Sequence, residues 1–303
     1  MGGQQNPYNI EGYIEREGLS KMGAFRVFVS PTRMAKKYAW KKEKESGSEV
    51  EKYFNYINDE VLAKADKIIY NNEYQFDHAF TEDRLKKYKS KGCVLPHSYD
   101  PSMYPKKKTK SKNSKLSFVY VGHLDNNRNV KTLLEALWKL KKKDPKLSEK
   151  IKFVFYGHMD DGDKVLILDY DLVDIVKLGK DIKYLESLKV ISEADWAILV
   201  DANFTSLVDE CIYLPAKLMD YMGARTKVFS ISHVKGAGAD IIRDVGGGKV
   251  VTHGADDIYL YLSKIIYEGY KPRAYDEKKV KKYASTEVAK EMDKIIAGLF
   301  REK

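Results

Sequence analysis

Two side chains of opposite charge, Lys217 and Asp220, stand three residues apart just after Leu214-Pro215, in the stretch YLPAKLMDYMGA. Residues three apart share one face of a helix. Pro215 suits a first helical turn, because the N–H it lacks would have no intrahelical partner there. Gly223 suits the stop. The predicted helix therefore opens with an ammonium group beside a turn of free N–H groups, a pairing that suits phosphate. A carboxylate one turn later only accepts hydrogen bonds, which suits a neutral polyol such as ribose. Phosphate with ribose describes a nucleotide diphosphate. The same residues also fit a capped surface helix with solvated charges, and local chemistry leaves both readings open.

Four other segments that follow strand-like runs carry polar groups or glycine. Gly122 leads into a loop with His123 and Arg128; glycine there lets backbone approach a phosphate, and an arginine can bind one bidentately. Gly157-His158 closes a second strand, where His158 reads as a turn residue. Gly179-Lys180-Asp181-Ile182 follows a third, with backbone placed to meet a base edge. Gly236-Ala237-Gly238 reads as a flexible loop. A plain turn explains each of them singly, and their common placement is what favours a ligand.

The elements that would hold these residues follow a β-α-β rhythm. Predicted strands lie at 116–121, 151–157, 176–179, 196–200, 228–231 and 246–251, with helices at 129–142, 184–194, 216–222, 256–268 and 286–301 and a short element at 166–168. Such alternation implies a doubly wound parallel sheet, whose ligands gather at the carboxyl ends of the strands. Upstream, strands are expected at 25–29, 66–70 and 93–97, with helices at 48–65 and 73–89. Between the halves, residues 101–115 carry two prolines and many lysines without apolar periodicity. This segment reads as a solvated linker, with contact to an anionic membrane surface as its alternative. The expected organisation is a partial N-terminal domain over 1–105, a basic linker over 106–115, a ligand-binding domain over 116–285 and a closing helix over 286–303.

Composition narrows the class. The chain has 303 residues, 43% of them hydrophobic and 32% charged, enough for about two cores. No apolar run approaches a membrane span. Cys93 and Cys211 have no metal-ligand spacing, so no metal and no disulfide framework is expected, and a reducing cytoplasm fits. The opening MGGQQNPYNI lacks the features of a signal peptide. The net charge of +10 fits a phosphorylated substrate or an anionic surface. No helix-turn-helix, zinc-finger or RNP-like signature accompanies it, which disfavours nucleic acid.

The order FVYVGHLDNNRNVKTLLEAL, VKLGKDIKYLESLKVISEADWAILV and YLPAKLMDYMGA resembles the C-terminal domain of GT-B-fold glycosyltransferases of the group 1 (family 4) type. VLAKADKIIYNNEYQ followed by VLPHSYD resembles the end of that family's N-terminal domain. The resemblance covers about residues 48–300. It implies an α/β fold of two Rossmann-like domains, the N-terminal one shortened, with a nucleotide-sugar held mainly by the C-terminal one. Carried over, Arg128 and Lys217 meet the diphosphate, Gly122 lies beside it, the backbone of Ile182 meets the base, and Asp220 meets the ribose. No catalytic side chain is singled out, and His97 reads as structural. Two departures stand out. The family's pair of glutamates eight residues apart is absent, since Ile212 occupies the first position, with Asp209 and Glu210 off register. The cation after the first strand also comes later than usual, because His123 follows Gly122.

The resemblance implies a retaining, metal-independent hexosyltransferase without a cofactor. Its donor would be a nucleotide-diphosphate sugar, and its acceptor a cell-surface polysaccharide, glycolipid or lipid-linked glycan at the inner face of the membrane. The alternatives are a catalytically incomplete nucleotide-sugar-binding subunit or fragment, suggested by the short front half, and a GT-B-type epimerase.

Overall fold

The computed structural model describes the backbone of residues 27–29 and residues 62–81, 83–105, 114–124, 128–203 and 210–301. The lysines at 106–113, Asp209 and most of the helix expected at 48–65 lie outside the described residues.

Strands buried on both faces read as continuous apolar runs, and such strands, at Leu116–Val121, Trp196–Val200 and Lys227–Ile231, form the centre of the larger sheet. In chain order the strands of this sheet are β4 (Leu116–Val121), β5 (Ile151–Tyr156), β6 (Val176–Gly179), β7 (Trp196–Val200), β8 (Lys227–Ile231) and β9 (Gly248–Val251). They pair in parallel in the order β6-β5-β4-β7-β8-β9. The chain runs outward from β4 through β5 to β6, then returns to the other side of β4 with β7. That reversal places a topological switch point between the carboxyl ends of β4 and β7, where open α/β sheets leave a crevice.

Helices cover both faces. Leu133, Leu134, Leu137 and Leu140 of α3 (Lys131–Lys143) and Ile258, Leu262 and Ile265 of α9 (Ala255–Tyr267) fill one side. Ile191 of α6 (Tyr184–Glu193), Leu218, Met219 and Met222 of α7 (Lys217–Gly223) and Ile242 and Val245 of α8 (Ala237–Val245) fill the other. Alternate residues of β7 serve the two cores: Trp196, Ile198 and Val200 face the first, Ala197 and Leu199 the second.

A second parallel sheet precedes it: β1 (Val27–Val29), β2 (Lys67–Tyr70) and β3 (Gly92–Val94) in the order β1-β2-β3. Its core gathers Leu62, Ile68, Tyr70, Phe80 and Leu85. The two units meet directly. Asn72 Nδ2 donates to the Ile212 carbonyl at 3.0 Å, and the Tyr74 hydroxyl donates to Asp240. Tyr99 is bound on both its backbone groups by the C-terminal segment, to the Tyr283 carbonyl at 3.0 Å and from Ser285 N at 2.8 Å.

Three expectations are corrected. The helix expected over 73–89 is broken into α1 (Glu73–Ala79), α2 (Asp83–Lys86) and a 3-10 turn at Lys89–Lys91. The break lets the Phe80 ring turn inward, edge-on to Tyr70 and Phe76 at 5.7 and 5.5 Å. The short element at 166–168 belongs to the longer helix α5 (Asp161–Asp169). Gly236-Ala237-Gly238 is no free loop, because it leads into and opens α8. Two short helices, α4 (Leu147–Lys150) and α10 (Glu277–Lys281), were not expected; the closing helix is α11 (Ser285–Arg301).

Candidate functional site

The tips of β4 and β5 are in backbone contact. Gly122 N donates to the Tyr156 carbonyl at 2.9 Å. Gly122 and Gly157 have φ of +131° and +105°, a region that favours glycine. A Cβ at Gly157 would lie 2.4 Å from the Gly122 carbonyl oxygen. Gly157→Ala is therefore expected to cost about 1–3 kcal/mol through strain and displacement of the β4 tip. A thermal melt checks this; an unchanged melting temperature would show that the two tips are not locked together.

Lys217 reaches this tip from the start of α7. Its Nζ donates to the Tyr120 hydroxyl at 2.9 Å and sits 4.2 Å from the centre of that ring. The Tyr120 hydroxyl in turn donates to the His123 carbonyl at 2.8 Å. A Cβ at Gly122 would meet Lys217 Nζ at 2.6 Å, so glycine is what lets the ammonium lie against the strand end. Leu218 N donates to the Pro215 carbonyl, which places the proline one turn before the helix proper. With seven residues, α7 is a short dipole, so the positive charge here belongs mainly to side chains.

Arg128 enters from the loop ahead of α3 and is half-buried. It lies within electrostatic reach of Asp201, Cys211 and Tyr213. Lys217 also reaches Asp201, so Arg128 and Lys217 both act on the carboxyl that follows β7, and Lys217 does so from beside Gly122.

Asp220 lies one turn along α7, and its Oδ1 accepts from two phenols: Tyr184 at 2.8 Å and Tyr104 at 3.2 Å. Burial raises the Asp220 carboxyl above its ordinary range, and the two hydroxyls partly offset this. Tyr104 packs its ring on Gly223, where a Cβ would lie 2.4 Å from Cζ. Tyr184 is 52% exposed and is pushed up to about 12 by burial and by Asp220. Ile182 is half-buried in the loop two residues before Tyr184. The Tyr184–Asp220 bond thus brings that loop alongside α7.

Other sequence candidates lie elsewhere. His158 is 3.5 Å from Asp160 in an exposed pair. His97 binds Asn71 at 3.1 Å, and burial lowers its pKa. Ile212 is buried, and Glu210 pairs with Lys235 at 2.6 Å. Among the described residues no cluster of three or more metal-ligating side chains occurs.

Sequence reasoning missed Tyr104, Tyr120, Tyr184 and, above all, Asp201. Asp201 directly follows β7 and is 1% exposed, with its Oδ2 accepting from Ser232 Oγ at 2.5 Å. Burial pushes this carboxyl up to about 6, against the lowering effects of Ser232, Arg128 and Lys217. The signal was a lone acid ending the apolar run WAILV.

No protein-family model and no curated protein matches the chain. Solved structures do. The chain is similar to sucrose-phosphate synthase from Thermosynechococcus elongatus, with a TM-score of 0.65 and 14% identity over 96% of this chain and 71% of that one. It is similar to WaaG, a glycosyltransferase involved in lipopolysaccharide biosynthesis, with a TM-score of 0.56 and 14% identity over 85% and 71% of the two chains. It is also similar to the pneumococcal O-GlcNAc transferase GtfA in complex with UDP and GlcNAc, with a TM-score of 0.56 and 15% identity over 82% and 48%. The chain thus spans from about half to about seven-tenths of the length of these structures. The fold is that of the GT-B glycosyltransferases, with parallel sheets consistent with Rossmann-like domains.

Proposed function

We propose that the chain binds a nucleotide-diphosphate sugar at the crevice between β4 and β7 and transfers the sugar to a polysaccharide, glycolipid or lipid-linked acceptor. The observation that carries this reading is the Lys217 ammonium, held on Tyr120 against the side-chain-free tip at Gly122. Arg128 adds a second cation on the same side of the switch point. As the bond from sugar to diphosphate breaks, negative charge builds on the leaving phosphate. Cations already in place stabilise that charge without reorganising, which is commonly the largest catalytic contribution. Asp220 would take a ribose hydroxyl while keeping its tyrosine donors, and the loop around Ile182 would flank the base. The UDP in the GtfA complex supports this donor class, and the lipopolysaccharide role of WaaG supports a glycan acceptor.

Retention of anomeric configuration, hexosyl transfer and independence of metal belong to the same proposal. So does action from the cytoplasm at the inner membrane face; no described helix is long and apolar enough to cross a membrane. The test is turnover with UDP-, GDP- and dTDP-sugars and candidate glycan acceptors, following release of nucleoside diphosphate. Binding without turnover on any acceptor would favour a nucleotide-sugar-binding subunit. Where turnover is found, it is expected to persist after dialysis against EDTA, and activity that returns only with added magnesium or manganese would refute metal independence.

A further inference from the structure

A buried acid, Asp201, lies within electrostatic reach of Arg128 and Lys217. Asp201 Oδ2 is held by Ser232, while its equally buried Oδ1 has no hydrogen-bond partner among the described residues. A Cβ on Gly238 of α8 would lie 3.9 Å from Asp201 Oδ2 and 3.9 Å from Leu218 Cδ2, which ties the carboxyl to the start of α7. Arg128 faces it from the loop before α3 and Lys217 from α7. Cys211 also faces it, and burial pushes that thiol up to about 12. Tyr213, near Arg128 and Cys211, is pushed up to about 12. From the ends of β8 and β9, burial lowers the pKa of His233 and takes that of His253 down to about 4. Burial thus disfavours the charged form of each of these groups.

A diphosphate brought to Arg128 and Lys217 would set a second anion within electrostatic reach of Asp201. Two anions sharing a site of low dielectric cannot both keep their charge at ordinary cost. We propose that Asp201 is a positioning residue that takes up one proton from solvent when a nucleotide-diphosphate sugar binds, removing its own negative charge from beside the diphosphate at Arg128 and Lys217. The unpartnered Oδ1 is the atom placed to receive that proton. The inference rests on the donor reading above.

The sign follows from linkage. Binding draws the cations' charge onto the ligand, so the carboxyl holds its proton more firmly in the complex than in the free protein. Affinity is then highest at mildly acid pH and weakens as pH rises towards 8, by at most about tenfold per pH unit for one proton. A diphosphate diester has no group of its own that titrates in this range, which makes an intact nucleotide sugar the right probe.

The experiment is calorimetry of the full chain with UDP-glucose, GDP-mannose and dTDP-glucose. It is run at pH 7 in buffers of different ionisation enthalpy, and again at pH 6 and pH 8. The wild type is expected to take up a measurable fraction of a proton and to bind roughly tenfold more weakly at pH 8 than at pH 6. Asp201→Asn, which keeps an acceptor for Ser232, is expected to take up none, to bind like wild type at pH 6 and to hold that affinity at pH 8. Binding by the wild type without proton uptake overturns the inference and leaves the donor reading standing. So does equal uptake by Asp201→Asn. Failure of all three sugars to bind the wild type removes the donor reading itself, and this inference with it.

Discussion

Lys217→Ala is expected to weaken binding of a nucleotide-diphosphate sugar by roughly 10- to 150-fold, with the fold intact. The range corresponds to losing one charge-assisted hydrogen bond, about 1.5–3 kcal/mol. The substitution removes the ammonium that lies over the Tyr120 ring and against Gly122. It should cost little stability, for two reasons. Lys217 is only half-buried, and the Tyr120 hydroxyl keeps its bond to the His123 carbonyl. Calorimetry measures the affinity, and circular dichroism confirms the fold. Unchanged affinity in a folded variant would move the diphosphate away from the tip of β4 and sink the proposed donor geometry.

The largest stability effect is expected at Trp196. The ring is 1% exposed, stacked on Phe118 with centroids 6.3 Å apart and edge-on to Phe229 at 6.4 Å. It begins the strand that places Asp201, and β7 pairs with both β4 and β8. Trp196→Ala removes the indole from a core that cannot fully collapse, at about 3–5 kcal/mol. At about 2–4 °C per kcal/mol for a chain this large, the melting temperature should fall by roughly 6–20 °C. A fall of less than 2 °C in a thermal melt would contradict the central position of β7. Trp196→Phe should recover part of the loss, because an aromatic ring can still fill much of the space beside Phe118.

Much of the larger sheet was legible because its central strands are buried on both faces. Runs such as Leu116–Val121 and Trp196–Val200 carry their own signal, and so does the helix face formed by Leu133, Leu134, Leu137 and Leu140. The missed helix shows the limit. Ala237–Val245 begins Ala-Gly-Ala after Gly236, residues that taken locally suggest a loop. Its helical state comes from packing Ile242 and Val245 into the second core. In the same way, Phe80 ends its helix because Tyr70 and Phe76 offer it a buried place, a partnership formed by folding.

What the sequence by itself determined is the alternation of strands and helices, and the presence of glycine or charge at the strand ends. These depend on neighbours a few residues apart. It also carried the likeness to GT-B glycosyltransferases, whose fold the structure has. The tertiary structure alone decided which of those ends lie together. Lys217 finds Tyr120 across 97 residues, and Asp220 finds Tyr104 across 116. The return of β7 beside β4 brought the buried carboxyl of Asp201 within electrostatic reach of Arg128 and Lys217. Contacts of that span depend on strand order, and strand order is settled by how two cores share one sheet.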